Sequence, residues 1–157
     1  MPSITPFLWF DTQAEEDMNF YAGIFKRSKV LSVNKAGGKD SFYAIDYAAR
    51  MAMEMGADVV KLNFPDPTAT EGVPKAYAAE VGEQDAVNAV VRSAARTPVL
   101  LSGGEKGGDE EVLDKARMAM EAGALGVIFG RNVWQRQRDE SLRFVDRLRE
   151  LLSKYPS

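Results

Sequence analysis

Lys61 is the residue whose placement most invites chemistry. It interrupts the apolar run at 58–64 (DVVKLNF), which otherwise reads as a buried strand. A lysine inside such a run costs desolvation unless it faces a site. Against an apolar wall an ammonium gives up its proton more readily, and the neutral amine can attack a carbonyl and form a Schiff base. The same pattern also fits a lysine near a strand end whose charged head snorkels to solvent. Two glycine-containing segments follow other apolar runs directly: Ser102-Gly103-Gly104 after 98–101, and Gly130-Arg131-Asn132 after 125–129. Glycines there let backbone N–H groups approach a phosphate, and the next helix N-terminus adds a favourable dipole. Arg131 is placed to clamp such a phosphate bidentately. Turn glycines beside a surface arginine would be spelled the same way.

Composition narrows the chemistry further. The 157 residues contain no Cys and no His. That excludes disulfide scaffolds, thiolate metal sites, thiol nucleophiles, the Ser-His-Asp triad and most transition-metal sites; no metal and no cofactor is expected. Lys plus Arg is 20 against 23 for Asp plus Glu, a net charge of -3. A mixed, mildly acidic surface gives no reason to expect nucleic acid as a partner. No stretch is apolar enough to span a bilayer, and MPSITPFLWF lacks the pattern of a secretory signal, so the expected location is cytoplasmic. Chain length fits one domain.

Five strand-then-helix units must position these residues. Strands are predicted at 4–10, 28–33, 58–64, 98–101 and 125–129. Helices are predicted at 13–25, from Asp40 or Ser41 to 55, and at 83–95, 109–122 and 140–154, with Gly56 and Gly123 as C-terminal caps. The last helix carries Leu142, Val145, Leu148, Leu151 and Leu152 on one face. Arg136, Arg138, Arg143, Arg147 and Arg149 read as a solvated basic face paired with Asp139, Glu140, Asp146 and Glu150. Met51, Met53, Met55, Met118 and Met120 read as core filler, and Trp134 as lining a pocket or packing. The 65–81 segment, with three prolines, is long enough to suggest function. Such alternation predicts an α/β fold with a mainly parallel sheet: a flavodoxin-like open sheet or part of a TIM (β/α)8 barrel.

Residues 41–157 resemble the C-terminal part of the archaeal-type class I fructose-bisphosphate aldolases, of the deoxyribose-phosphate aldolase superfamily. The stretches that carry this are YAARMAMEMGADVVKLNFP, TPVLLSGGEKGG and EAGALGVIFGRNVWQR. Their order matches the sixth, seventh and eighth strands of that barrel. The resemblance implies that Lys61 stands in place of the Schiff-base lysine. It implies that Ser102, Gly103, Gly104, Gly130 and Arg131 surround a substrate phosphate. The implied reaction is reversible, metal-free aldol cleavage of fructose 1,6-bisphosphate. Tyr21, Tyr43, Tyr47 and Tyr77 do not match the family's catalytic tyrosine, so weak or lost activity is expected. Residues 1–34 resemble the opening strand, helix and strand of vicinal-oxygen-chelate (glyoxalase and bleomycin-resistance) proteins, none of whose metal ligands carries over.

The expectation is therefore a chimera folded as a single domain over 1–157, with a half-barrel segment at 41–157 completed by the added βαβ segment at 1–34 or by a second copy in a homodimer. The expected partner is a small sugar phosphate. A phosphate-binding or purely structural module without turnover is the alternative.

Overall fold

The computed structural model describes residues 38, 40–103 and 106–155, which fall in the compact unit Ala36–Ser157. The strands expected at 4–10 and 28–33, the helix at 13–25, the glyoxalase-like segment at 1–34 and Gly104 lie outside the described residues.

Within them the alternation forms as expected. Helix α1 (Phe42–Glu54) leads to strand β1 (Val60–Asn63), α2 (Glu83–Ser93) to β2 (Val99–Ser102), and α3 (Asp109–Glu121) to β3 (Gly126–Ile128). Two further helices follow, α4 (Gly130–Trp134) and α5 (Arg138–Leu152). The three strands are parallel and lie in chain order β1-β2-β3. This is an α/β fold with a parallel sheet.

Side chains alternate across a strand, so each strand has one face to bury and one to spare. Val60, Leu62, Val99 and Leu101 go to the buried face, where they meet Ile45 and Ala49 of α1, Val87 and Val90 of α2, and Ala119 of α3. A second cluster joins Val112, Leu113 and Ala116 of α3 to Phe129 and Phe144. Phe64 and Val127 pack against both clusters.

Helix ends follow from local chemistry. Ser41 caps α1, its Oγ accepting from the Ala44 N–H at 3.2 Å. Gly56 and Gly123 hold φ 84° and 83° just past α1 and α3. Their N–H groups donate to the carbonyls of Met53 and Met120, and those of Ala57 and Ala124 to Ala52 and Ala119, all at 3.0 Å. After α2 the same place is held by Ala95, at φ 51°.

Three details of the helices differ from expectation. Phe144, fully buried, is the anchor of α5, whereas Leu142 is 56% exposed. Helix α5 begins at Arg138, and the five-residue α4 precedes it. Met55 and Trp134 are exposed, at 49% and 68%, so neither serves as core.

The 65–81 segment is fastened rather than loose. Its single 3₁₀ turn (Lys75–Tyr77) places the Tyr77 hydroxyl 2.5 Å from Asp46 Oδ2. Asp46 is buried on α1 and also accepts from Ser93 Oγ at 2.6 Å. The hydrogen bond to Asp46, with burial and that residue's charge, pushes the Tyr77 hydroxyl up to about 12 from 10.0.

Two outcomes follow. Ala95→Gly relieves a left-handed alanine and should raise stability by roughly 0.5–1 kcal/mol, read as a higher urea midpoint. Tyr77 stays protonated in the fold above the pH at which it ionises in the unfolded chain. Its contribution is therefore complete below pH 10 and lost as pH rises towards about 12. Wild type should be more stable than Tyr77→Phe at neutral pH, and the gap should close across that window in alkaline denaturation curves.

Candidate active site

The face of the sheet turned away from the helices carries the residues with chemistry. Parallel register sets Lys61 beside Leu100, and Leu100 beside Gly126. One layer nearer the strands' C-terminal ends stand Asn63, Ser102 and Ile128. Leu100 Cδ2 lies 3.6 Å from where a Cβ on Gly126 would stand, an ordinary contact distance. Lys61 is exposed on this face, with the apolar Leu100 beside it.

The upper layer is wired by hydrogen bonds. Ser102 Oγ donates to Asn63 Oδ1 at 2.6 Å, and Asn63 Nδ2 donates to Asp40 Oδ1 at 2.8 Å. The Asp66 N–H donates to the Asp40 carbonyl at 2.6 Å, and the Phe42 N–H to the Asp66 carbonyl at 3.0 Å. The start of α1 is thus clipped to the exit of β1. Asp66 in turn accepts from the hydroxyl and the N–H of Thr68, which hold its carboxyl below the usual carboxylate value.

The two glycine-bearing turns come together. The Gly103 N–H donates to the Ile128 carbonyl at 3.2 Å, tying the exit of β2 to the end of β3. Phe129 packs directly over Gly103: a Cβ there would stand 2.6 Å from Phe129 Cε1 and 3.2 Å from Asn132 Nδ2. Gly103 is therefore glycine because a ring occupies the space its side chain would need. Gly130 and Arg131 begin α4, both exposed.

Arg136 overturns its expected role. It is not part of a solvated face: its side chain is 8% exposed and pairs with Asp109. Its Nε donates to the Asn132 carbonyl at 2.6 Å, and its guanidinium lies 4.4 Å from the centre of the Phe144 ring. Arg147 likewise reaches Asp109 and Glu110 on α3 rather than neighbours on its own helix.

A cleft of about 400 Å³ opens at the C-terminal ends of β1 and β2, lined by Asn63, Ser102, Gly103, Lys106, Gly107 and Lys115 among others. Lys61, Gly130 and Arg131 are not on its wall. Sequence reasoning passed over Asp40, Asn63, Asn132 and Arg136. Only Asn63 carried a signal, since it lies two residues after Lys61 and so shares its face. Among the described residues no group of three or more Asp or Glu is placed to hold a metal ion.

A polar row along the C-terminal ends of sequential parallel strands, with helices behind, is where parallel α/β folds, barrels among them, place their ligand sites. Comparison with known proteins specifies it. A family model described as DeoC/LacD family aldolase matches residues 14–136, and the chain belongs to that family. The match enters 14–34, the stretch likened above to glyoxalases. The class 1 fructose-bisphosphate aldolase of Halobacterium salinarum is 38% identical over 104 residues, covering 66% of this chain and 33% of that protein. The class 1 enzyme of Thermoproteus tenax is 39% identical over 109 residues, covering 69% and 35%. An archaeal fructose-1,6-bisphosphate aldolase, solved with its catalytic lysine bound to the carbinolamine intermediate, superposes with a TM-score of 0.56 at 33% identity, covering 79% of this chain and 41% of that one. The chain spans about a third of the length of the curated relatives it matches.

Gly103→Ala should cost about 1–3 kcal/mol, because the methyl group displaces the Phe129 ring. Thermal unfolding of the variant and of Gly103→Ala with Phe129→Leu checks this, since the shorter side chain should recover part of the loss.

Proposed function

We propose that this chain is a class I aldolase module that forms a Schiff base with a sugar phosphate through Lys61. The observation that carries the proposal is the position of Lys61: exposed on the face turned away from α1, α2 and α3, one layer below Asn63 and Ser102, whose strand ends lead into the glycine-bearing turns. In this reading the neutral Nζ attacks the substrate carbonyl carbon. The carbinolamine loses water, and the resulting iminium takes up the electron pair released when the bond between its α and β carbons breaks, leaving an enamine on Lys61 and an aldehyde whose hydroxyl proton has gone to a base; protonation and hydrolysis of the enamine return the amine. Ser102, Gly103, Gly104, Gly130 and Arg131 hold the phosphate. In the structure the Ser102 hydroxyl proton is engaged by Asn63, so Ser102 meets an anion as a donor only by leaving that partner.

Turnover is proposed to be weak. The cleavage needs a positioned acid and base, each worth roughly 10²–10⁴ in rate. Tyr77 is committed to Asp46, and its ring packs on that of Tyr43, which in turn meets Tyr47 on α1. This favours a second reading, in which the module binds sugar phosphates without cleaving them.

Reduction with borohydride in the presence of dihydroxyacetone phosphate tests the proposal. A stable adduct on the peptide that contains Lys61 is expected, and none in Lys61→Met. Absence of the adduct in wild type at millimolar substrate would leave only the binding module.

A further inference from the structure

Asp40, Asn63 and Ser102 form one hydrogen-bonded chain at the C-terminal ends of β1 and β2, and its direction is set at the Asp40 end. A carboxylate only accepts, so the atom of Asn63 that meets Asp40 Oδ1 at 2.8 Å is Nδ2. The amide is thereby oriented, and its Oδ1 turns to Ser102 Oγ at 2.6 Å. An amide oxygen also only accepts, so the one proton of Ser102 is committed to it. Ser102 is left with acceptor sites alone, and Asn63 with one amide proton. Ser102 is 8% exposed and Asn63 half-buried, and both line the cleft described above.

The charges on the cleft wall act in the same direction. Lys115 is paired with Glu111 at 2.7 Å, and Lys106 Nζ donates to the Gln135 carbonyl at 3.0 Å. Asp40, Asp66 and Glu83 line the cleft with no Lys or Arg paired to them among the described residues. A phosphate at Ser102 meets surplus negative charge, and an acceptor where it needs a donor. A hydroxyl group both donates and accepts, so it suits Ser102 Oγ and the remaining Asn63 N–H together.

We infer that Asp40 is a positioning residue that makes Ser102 an acceptor, and that the Asn63–Ser102 pair receives a hydroxyl group of a polyol ligand rather than its phosphate. This rests on the sugar-phosphate site proposed above and reassigns Ser102 within it.

The test is titration of the full chain with glycerol and with inorganic phosphate, read by NMR at the Asn63 side-chain amide, with folding of each variant verified by thermal unfolding. Glycerol has no carbonyl, so the outcome does not depend on Lys61. In wild type, glycerol should move these resonances and phosphate at the same concentration should not. Asp40→Asn removes the lock, because an amide at 40 donates as well as accepts and lets the chain reverse. The ratio of phosphate to glycerol affinity should then rise about tenfold. Asp66→Asn removes an equal charge from the same wall without touching the chain, and should change that ratio by less than about twofold. Ser102→Ala should weaken glycerol about tenfold and leave phosphate affinity unchanged, and it carries the test if Asp40→Asn does not fold. The inference is overturned if phosphate moves the wild-type resonances, if neither ligand does, or if the two Asp variants change the ratio alike. Loss of phosphate affinity in Ser102→Ala overturns it too. Failure of borohydride trapping would remove the Lys61 proposal alone, and these titrations would still decide this one.

Discussion

Everything in this structure depends on the two-sidedness of a parallel strand. Successive residues of β1 and β2 go alternately to the helices and away from them, and burial of Val60, Leu62, Val99 and Leu101 under α1, α2 and α3 fixes which is which. A slip of one residue would send Lys61 into that apolar layer, at a desolvation cost no partner there offsets. The core therefore selects the register, and the register sets Lys61, Asn63 and Ser102 on a common face. Placement of the chemistry is a by-product of packing.

The strands alone do not build the site. Their C-terminal ends are extended by hydrogen-bonded turns, and these are organised by side chains that come from elsewhere. Asp40, before α1, orients Asn63, which in turn engages Ser102. Asn132 and Arg136, beyond β3, hold the backbone of Gly107 just before α3. The interaction of Arg136 with Asp109 is more than a surface pair. The guanidinium is enclosed, stacked on Phe144 and hydrogen-bonded to backbone. Partners of this kind add to stability only when every donor is satisfied, and then they specify one geometry.

Much of this was legible in the sequence, for reasons that are local. Gly56 and Gly123 mark helix ends because only a residue tolerant of positive φ suits the place, and Ser41 marks a start through its capping hydroxyl. The face that Lys61 takes was legible from the alternation in DVVKLNF, and its exposure there suits a lysine that snorkels to solvent as well as one that faces a ligand. The failures are tertiary. Two overlapping stripes fit α5, one through Leu142 and Val145, the other through Phe144, Leu148 and Leu151, and only the packing of α3 chooses between them. Arg136 sits among several arginines, and its carboxylate partner lies 27 residues away. Helix periodicity has no means of pairing residues that far apart. The same holds for Asn132, whose spelling in GRN suggests a turn and not a buried acceptor.

Phe129 over Gly103 has a consequence for how the family's glycine motif is to be interpreted. A tolerance profile across Ser102-Gly103-Gly104 would score Gly103 as intolerant, and the natural reading would be close approach of a ligand. Here the same intolerance arises from an aromatic ring 26 positions further along the chain. The two positions form one steric unit, so what 103 admits depends on what stands at 129. Among relatives, a larger residue at the first position should travel with a smaller one at the second, whether or not an anion binds.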